Sequence, residues 1–332
     1  MDRKVYIRVD GSPEIGLGHL VRCIALAQML DNNFRIYFIC KEIPEETSNE
    51  IKKLGFNITI IEKEENFLSQ LKNDDFVVID HYALDSNYQK SIKEKGCKLI
   101  CIDDLHDKVF FADLIINHAP NVKITDYKAQ PFTKFALGLD YALLRPEFLE
   151  EAQKERIIQN TDTVFICFGG ADFKNLSTQI LLSVLEENKF KKVIIVTGAG
   201  FKHTAGLQEA IKNDIRVQHE HSIDVHRMLE LMKISGFAII PASGILFEVI
   251  AVGIKPLICY FVDNQKEFHD YLVGNYNIPT MGYLDGGFEK FSPSISFLLE
   301  TGDEKKNKSL IGLRSKISKS KENCLKKFKE IL

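Results

Sequence analysis

The chain has 332 residues, 45% of them hydrophobic and 27% charged, with a formal net charge of −3. That length permits two ordinary domains with cores of their own, and the composition is globular rather than disordered or fibrous. The slightly acidic balance gives no reason to expect nucleic acid as a partner. No apolar run approaches a membrane span or a signal-peptide core, so the sequence reads as a cytosolic protein without membrane insertion.

Short apolar runs alternate with stretches of helical periodicity. Strands are expected at 4–10, 35–40, 58–62, 76–80, 99–103 and 114–117, with a first helix over about 19–30. The pattern restarts with strands at 163–168, 192–197, 215–218, 237–241 and 257–261. Runs this apolar predict strands buried on both faces, hence parallel sheets covered by helices. The fold class is therefore α/β: two doubly wound Rossmann-like domains, 1–145 and 163–302, facing a cleft and joined by 146–162. Residues 303–332 are rich in lysine and carry apolar positions at helical spacing, which predicts an amphipathic C-terminal helix. The seven cysteines include no CxxC pair, which points to reduced thiols rather than zinc or redox chemistry. The sequence does not report the oligomeric state.

In doubly wound sheets, ligands bind beyond the C-terminal ends of the strands, so the polar residues there are the candidates. Between the first strand and first helix stands Arg8-Val-Asp10-Gly-Ser-Pro-Glu-Ile-Gly16-Leu-Gly18-His19-Leu-Val-Arg22-Cys23. Gly16 and Gly18 permit close backbone approach, and amides at the helix start favour an anion. His19 lies in the first helical turn, where the dipole favours a neutral imidazole able to act as general base. A glycine turn with a merely packed histidine fits the same spacing. A dinucleotide fingerprint does not, because Val21 stands where its third glycine belongs.

Asp80-His81-Tyr82 ends a wholly apolar strand and could position a sugar or water, or Asp80 could cap the following helix. Asp103-Asp104 lacks a third ligand at metal spacing and reads as solvated carboxylates. Phe168-Gly169-Gly170-Ala171-Asp172 opens the second half as a glycine loop opens the first. Ser243-Gly244 precedes a helix whose amides could take phosphate, with Glu248 one turn in to accept from ribose and Asn264-Gln265 after the next strand. The run from Gly198 to Thr204 misses phosphate-loop spacing, and His219, His221 and His226 lack the partners of a zinc site.

Together these residues, with Tyr141-Ala-Leu-Leu-Arg145-Pro-Glu147-Phe148, resemble one family in order and spacing over roughly residues 1 to 275. It is the UDP-2,4-diacetamido-2,4,6-trideoxy-β-L-altropyranose hydrolases of pseudaminic acid biosynthesis. The resemblance implies a glycosyltransferase-B fold, similar to the UDP-GlcNAc transferase of peptidoglycan synthesis. It also implies water attack on the anomeric C–O bond with inversion, release of UDP, and no metal or other cofactor. By motif position His19 matches the family's base. Tyr82 and Asn264 match active-site residues, and Glu248 matches the ribose-binding glutamate of the wider fold. Asp10, Gly16, Gly18, Arg22, His81, Gly169, Gly170, Ser243, Gly244 and Gln265 complete the expected substrate contacts.

Three departures stand out. Gly244-Ile245 replaces a hydroxyl-bearing pair, which leaves the phosphate contact to Ser243 and the backbone. Phe173 stands where proline is common. The chain also extends past shorter members, and in this fold the last helix often crosses back to the first domain. The rival functions are an inverting UDP-sugar glycosyltransferase and a non-catalytic nucleotide-sugar sensor.

Overall fold

The computed structural model describes residues 3–12, 17–156, 162–212, 214–286, 295 and 304–332. The chain forms two compact units, Met1–Pro146 with Lys319–Leu332, and Glu147–Ser318.

The first unit runs β1 (Lys4–Val9), α1 (Gly18–Leu30), β2 (Arg35–Cys40), α2 (Glu45–Lys53), β3 (Asn57–Ile60), α3 (Glu64–Leu68), β4 (Phe76–Asp80), α4 (Ser86–Glu94), β5 (Lys98–Ile102), the two-residue β6 (Val109–Phe110), β7 (Leu114–Asn117), the two-residue β8 (Lys128–Ala129) and β9 (Lys134–Leu137). Seven strands form a parallel sheet in the order β3-β2-β1-β4-β5-β7-β9. The β-branched runs of β1 and β4 fill its middle, where Val5, Ile7, Val9, Val77 and Val78 are wholly buried. The chain leaves β1 toward β2 and returns on the other side as β4, so the winding reverses between β1 and β4. A crevice opens beyond the strand ends at such a reversal.

The second unit runs α5 (Pro146–Gln153), β10 (Thr163–Cys167), α6 (Leu176–Leu185), β11 (Lys192–Thr197), α7 (Thr204–Ile211), β12 (Val217–His221), α8 (Val225–Lys233), β13 (Phe237–Pro241), α9 (Gly244–Val252), β14 (Lys255–Tyr260), α10 (Lys266–Tyr276), β15 (Thr280–Tyr283) and α11 (Glu304–Ile317). Its parallel sheet has the order β12-β11-β10-β13-β14-β15, with the reversal between β10 and β13. Residues 146–162, expected as a connection, thus begin with a helix of the second unit, and 157–161 lie outside the described residues.

Three expectations need correction. The single amphipathic helix over 303–332 is two helices, α11 and α12 (Ser320–Lys329). Its apolar positions serve two different cores. Arg314 of α11 donates to the Ala251 carbonyl at 2.8 Å in the second unit. In the first unit Phe328 of α12 packs on Phe34, with centroids 6.0 Å apart, and Asn323 donates to the Asp140 carbonyl at 3.0 Å. Burying a phenylalanine such as Phe328 contributes about 1.5–3 kcal/mol. The strand expected at 215–218 runs instead over Val217–His221, and Ile215 is fully exposed. Burial on both faces fails at the edges, for β3 is largely open to solvent and β12 is only partly buried.

Candidate active site

At the β1–β4 reversal, two side chains of α1 converge on one carboxylate at the end of β4. Asp80 ends β4 in register with Val9 and is 1% exposed. His19, second residue of α1, approaches Asp80 Oδ1 with Nδ1 at 2.7 Å. Arg22, one turn later, donates from Nε and Nη2 to the two Asp80 oxygens at 2.5 and 2.6 Å. Its Nη1 donates to both oxygens of Asp104 at 2.7 Å, and the Tyr82 phenol donates to Asp104 Oδ2 at 2.8 Å. Tyr82 stands edge-on to His19, with ring centroids 4.6 Å apart. Buried carboxylates persist only with such pairing, and a forked guanidinium is the strongest form of it.

Charge and geometry fix the histidine tautomer. Burial alone would raise the Asp80 carboxyl, but Arg22 and His19 outweigh it and hold Asp80 well below the usual carboxylate range. An ionised Asp80 only accepts. Two facing lone pairs at 2.7 Å would repel, so Nδ1 carries the proton and donates to Asp80. Arg22 Nη2, though 3.1 Å from Nδ1, then gives its hydrogen to Asp80. The Nε2 lone pair is left to accept a proton, and Asp80 can stabilise the imidazolium that forms. Asp104 is likewise held low, where burial is outweighed by Arg22. The Tyr82 phenol is pushed up by burial and by Asp104.

Two expected contacts are spoken for by a neighbouring network. His81 Nδ1 accepts from the Ala83 amide at 3.1 Å, and its Nε2 lies 3.2 Å from Asp10. Asp10, 4% exposed, also pairs with Arg8 at 2.7 Å and accepts from the Lys41 amide at 2.6 Å. Arg8 reaches on to Glu64 at 2.8 Å. These residues brace the loops after β1, β2 and β4. Gly18 opens α1 with nothing near its missing Cβ, and Gly16 lies outside the described residues.

Sequence reasoning misread three carboxylates. Asp80 does not cap the next helix, because Asp85 does so by accepting from the Asn87 and Tyr88 amides. Nor are Asp103 and Asp104 solvated. Asp103 is 6% exposed and accepts from the His106 amide and the Tyr127 phenol, and Asp104 anchors Arg22 and Tyr82. The available clue was position, since Asp80 ends β4 and Asp103-Asp104 directly follow its neighbour β5.

In the second unit the candidates follow β10 and β13, the two strands of the reversal, and the next strand, β14. Gly169 has φ +82°, a conformation glycine adopts without cost. A Cβ on Gly198 would meet Gly170 Cα at 2.5 Å, so the Gly198 loop that failed phosphate-loop spacing is instead packed against the Gly169-Gly170 turn. Asp172 accepts from the Leu176 and Ser177 amides at 2.8 Å each and so caps α6. Ser243 caps α9 by position without a side-chain bond, and its own amide donates to the Pro241 carbonyl at 2.9 Å. Gly244 is exposed, and first-turn amides such as its own have no acceptor within a helix. Glu248 is 6% exposed, one turn in. Asn264 is exposed, while Gln265 turns its side-chain oxygen to the Phe261 amide at 3.1 Å and braces the loop. Among the described residues no group of three His, Cys, Asp or Glu side chains is placed to hold a metal. No helix among them is long and apolar enough to cross a membrane.

No family model matches the chain. It is 32% identical over 277 residues to the UDP-2,4-diacetamido-2,4,6-trideoxy-beta-L-altropyranose hydrolase of Campylobacter jejuni, across 81% of this chain and 96% of that protein. An uncharacterized protein of Methanocaldococcus jannaschii is 28% identical over 286 residues, and the chain spans 58% of that relative's length. By structure, the chain is similar to Arabidopsis thaliana UGT89C1 complexed with UDP (TM-score 0.70, 13% identity, 99% of this chain and 100% of that one). It is also similar to a UDP-glucosyltransferase from Polygonum tinctorium (TM-score 0.62, 10% identity, 99% of each). At such identities the likeness shows the fold alone: two Rossmann-like α/β domains of glycosyltransferase-B type.

Proposed function

From its membership of the family of the Campylobacter jejuni UDP-2,4-diacetamido-2,4,6-trideoxy-beta-L-altropyranose hydrolase, we propose that this chain is an enzyme acting on a UDP-linked sugar. Its reaction is hydrolysis of a 2,4-diacetamido-2,4,6-trideoxy sugar at the anomeric carbon, with inversion and release of UDP. The observation that carries this reading is His19. Its Nδ1 proton is committed to an ionised Asp80 at 2.7 Å, so Nε2 is left as a base at a strand-end crevice. A water gives its proton to Nε2 as its oxygen attacks, a contribution of about 10²–10⁴-fold in rate. The second unit holds UDP: amides at Gly244 face the diphosphate, Glu248 accepts from ribose, and Asn264 contacts the sugar. Oriented dipoles there stabilise the charge that grows on departing UDP.

The second reading is glycosyl transfer, in which an acceptor hydroxyl replaces the water. It is supported by full-length structural likeness to the Polygonum tinctorium glucosyltransferase, and the same base would serve it. Incubation with the UDP-linked diacetamido sugar and no acceptor separates the two. Hydrolysis yields UDP and free sugar at once. Turnover that starts only when a sugar or lipid acceptor is added would make the protein a transferase.

A further inference from the structure

Asp104 has no part as acid or base in that reaction, yet it is tightly engaged beside it. It takes two bonds from Arg22 at 2.7 Å and one from the Tyr82 phenol at 2.8 Å. Tyr82 is 41% exposed, so the ring that meets His19 edge-on at 4.6 Å also meets solvent. A phenol has one proton. Where an ionised carboxylate holds it, the phenol oxygen offers only lone pairs to any further partner. Tyr82 is thereby set as an acceptor and cannot also protonate a leaving oxygen. Arg22 keeps Asp104 charged and in place, and it does the same for Asp80 behind His19.

An attacking water has two protons to place, and His19 accepts one of them. The other stays on the oxygen that becomes the sugar's C1 hydroxyl. We propose that Asp104 is a positioning residue that turns Tyr82 into the hydrogen-bond acceptor for the O–H that keeps this second proton, so that the water's lone pair is aimed at the anomeric carbon. The inference rests on the hydrolytic reading above and deepens it. As the new C–O bond forms, the bond from C1 to the UDP oxygen breaks, and its electron pair leaves with UDP. An alcohol carries a single hydroxyl proton, which His19 takes, so it gains nothing from the Tyr82 acceptor. Asp104 and Tyr82 therefore favour water over alcohols as the nucleophile.

The test uses the full chain with the UDP-linked diacetamido sugar in buffer containing methanol, measuring methyl glycoside against free sugar. Tyr82→Phe removes the acceptor oxygen and keeps the ring. Asp104→Asn removes the charge that orients the phenol. In both variants the ratio of methyl glycoside to free sugar should rise at least about fivefold, the worth of one hydrogen bond, because hydrolysis falls while methanolysis persists. This partition is read among turnovers of folded enzyme, so partial misfolding leaves it unmoved. Wild-type hydrolysis with an unchanged ratio in Tyr82→Phe overturns this inference alone. A wild type that forms no free sugar overturns the hydrolytic reading and this inference with it.

Discussion

The two units carry their candidate residues at the same place, the reversal of a parallel sheet, but build them differently. In the first unit the groups are side chains locked by charge: Asp80 and Asp104 clamp one guanidinium, and every other partner takes its orientation from them. In the second unit the candidates are largely backbone, a glycine turn and the open start of α9, with side chains such as Asp172 and Gln265 spent on bracing loops. A proton acceptor must keep one tautomer and one direction, which takes charged second partners. A diphosphate needs only oriented amides, which a helix start supplies without side chains. The departure at Gly244-Ile245 follows the same logic, because a site built on amides tolerates the loss of hydroxyls.

The comparison predicts that changes in the first unit alter turnover and changes in the second alter nucleotide affinity. The largest effect belongs to His19. His19→Ala or His19→Asn should lower kcat by at least about two orders of magnitude with UDP affinity nearly unchanged. Wild-type turnover in either variant would remove His19 from the mechanism. Asp80→Asn should come next, with kcat down at least about tenfold, because the amide no longer stabilises an imidazolium. Calorimetry should again find UDP binding intact, and a normal kcat would reduce Asp80 to a structural partner of Arg22. Glu248→Ala should do the reverse. UDP binding weakens by about 1.5–3 kcal/mol as a charge-assisted bond to ribose is lost. Equal affinity in the variant would leave the glutamate a structural role only.

The smallest effect is one of stability. Burial, with Arg22 nearby, pushes His118 down to about 4. The unfolded chain therefore binds this proton more tightly, and the stability that His118 contributes is fully present above about pH 6.5 and is lost as pH falls toward 4. The loss should be roughly 1–2 kcal/mol, below the full worth of the shift because the side chain keeps some exposure. Denaturant melts should show it in the wild type and a flatter profile in His118→Gln, and parallel profiles would show that His118 does not report the fold's acid sensitivity.

Much of this was legible in the sequence, and the gaps have physical causes. Central strands declare themselves because burial on both faces demands apolar runs rich in Val, Ile and Phe, as in β4 and β13. The edge strands β9 and β15 passed unread, since Lys134–Leu137 and Thr280–Tyr283 need only one partner and carry polar or glycine residues. His19 stood out through its glycine loop, a local pattern. Its pairing with Asp80 spans 61 positions, and the bonds from Arg22 to Asp104 span 82. No local periodicity encodes such contacts; they follow only once β1 and β4 are known to be neighbours. For the same reason Asp10 and His81, which sequence order groups with the catalytic candidates, are instead tied to each other.

The central claim is that water attacks carbon. The direct measurement is turnover of the UDP-linked diacetamido sugar in ¹⁸O-water, with the sugar reduced promptly by borohydride as its ring opens, before hydration of the aldehyde exchanges its C1 oxygen. Mass spectrometry should find the label on C1 of the sugar and none in UDP, because the diphosphate leaves with its own oxygen. Label in the nucleotide, or no release of sugar until an acceptor is supplied, would contradict it.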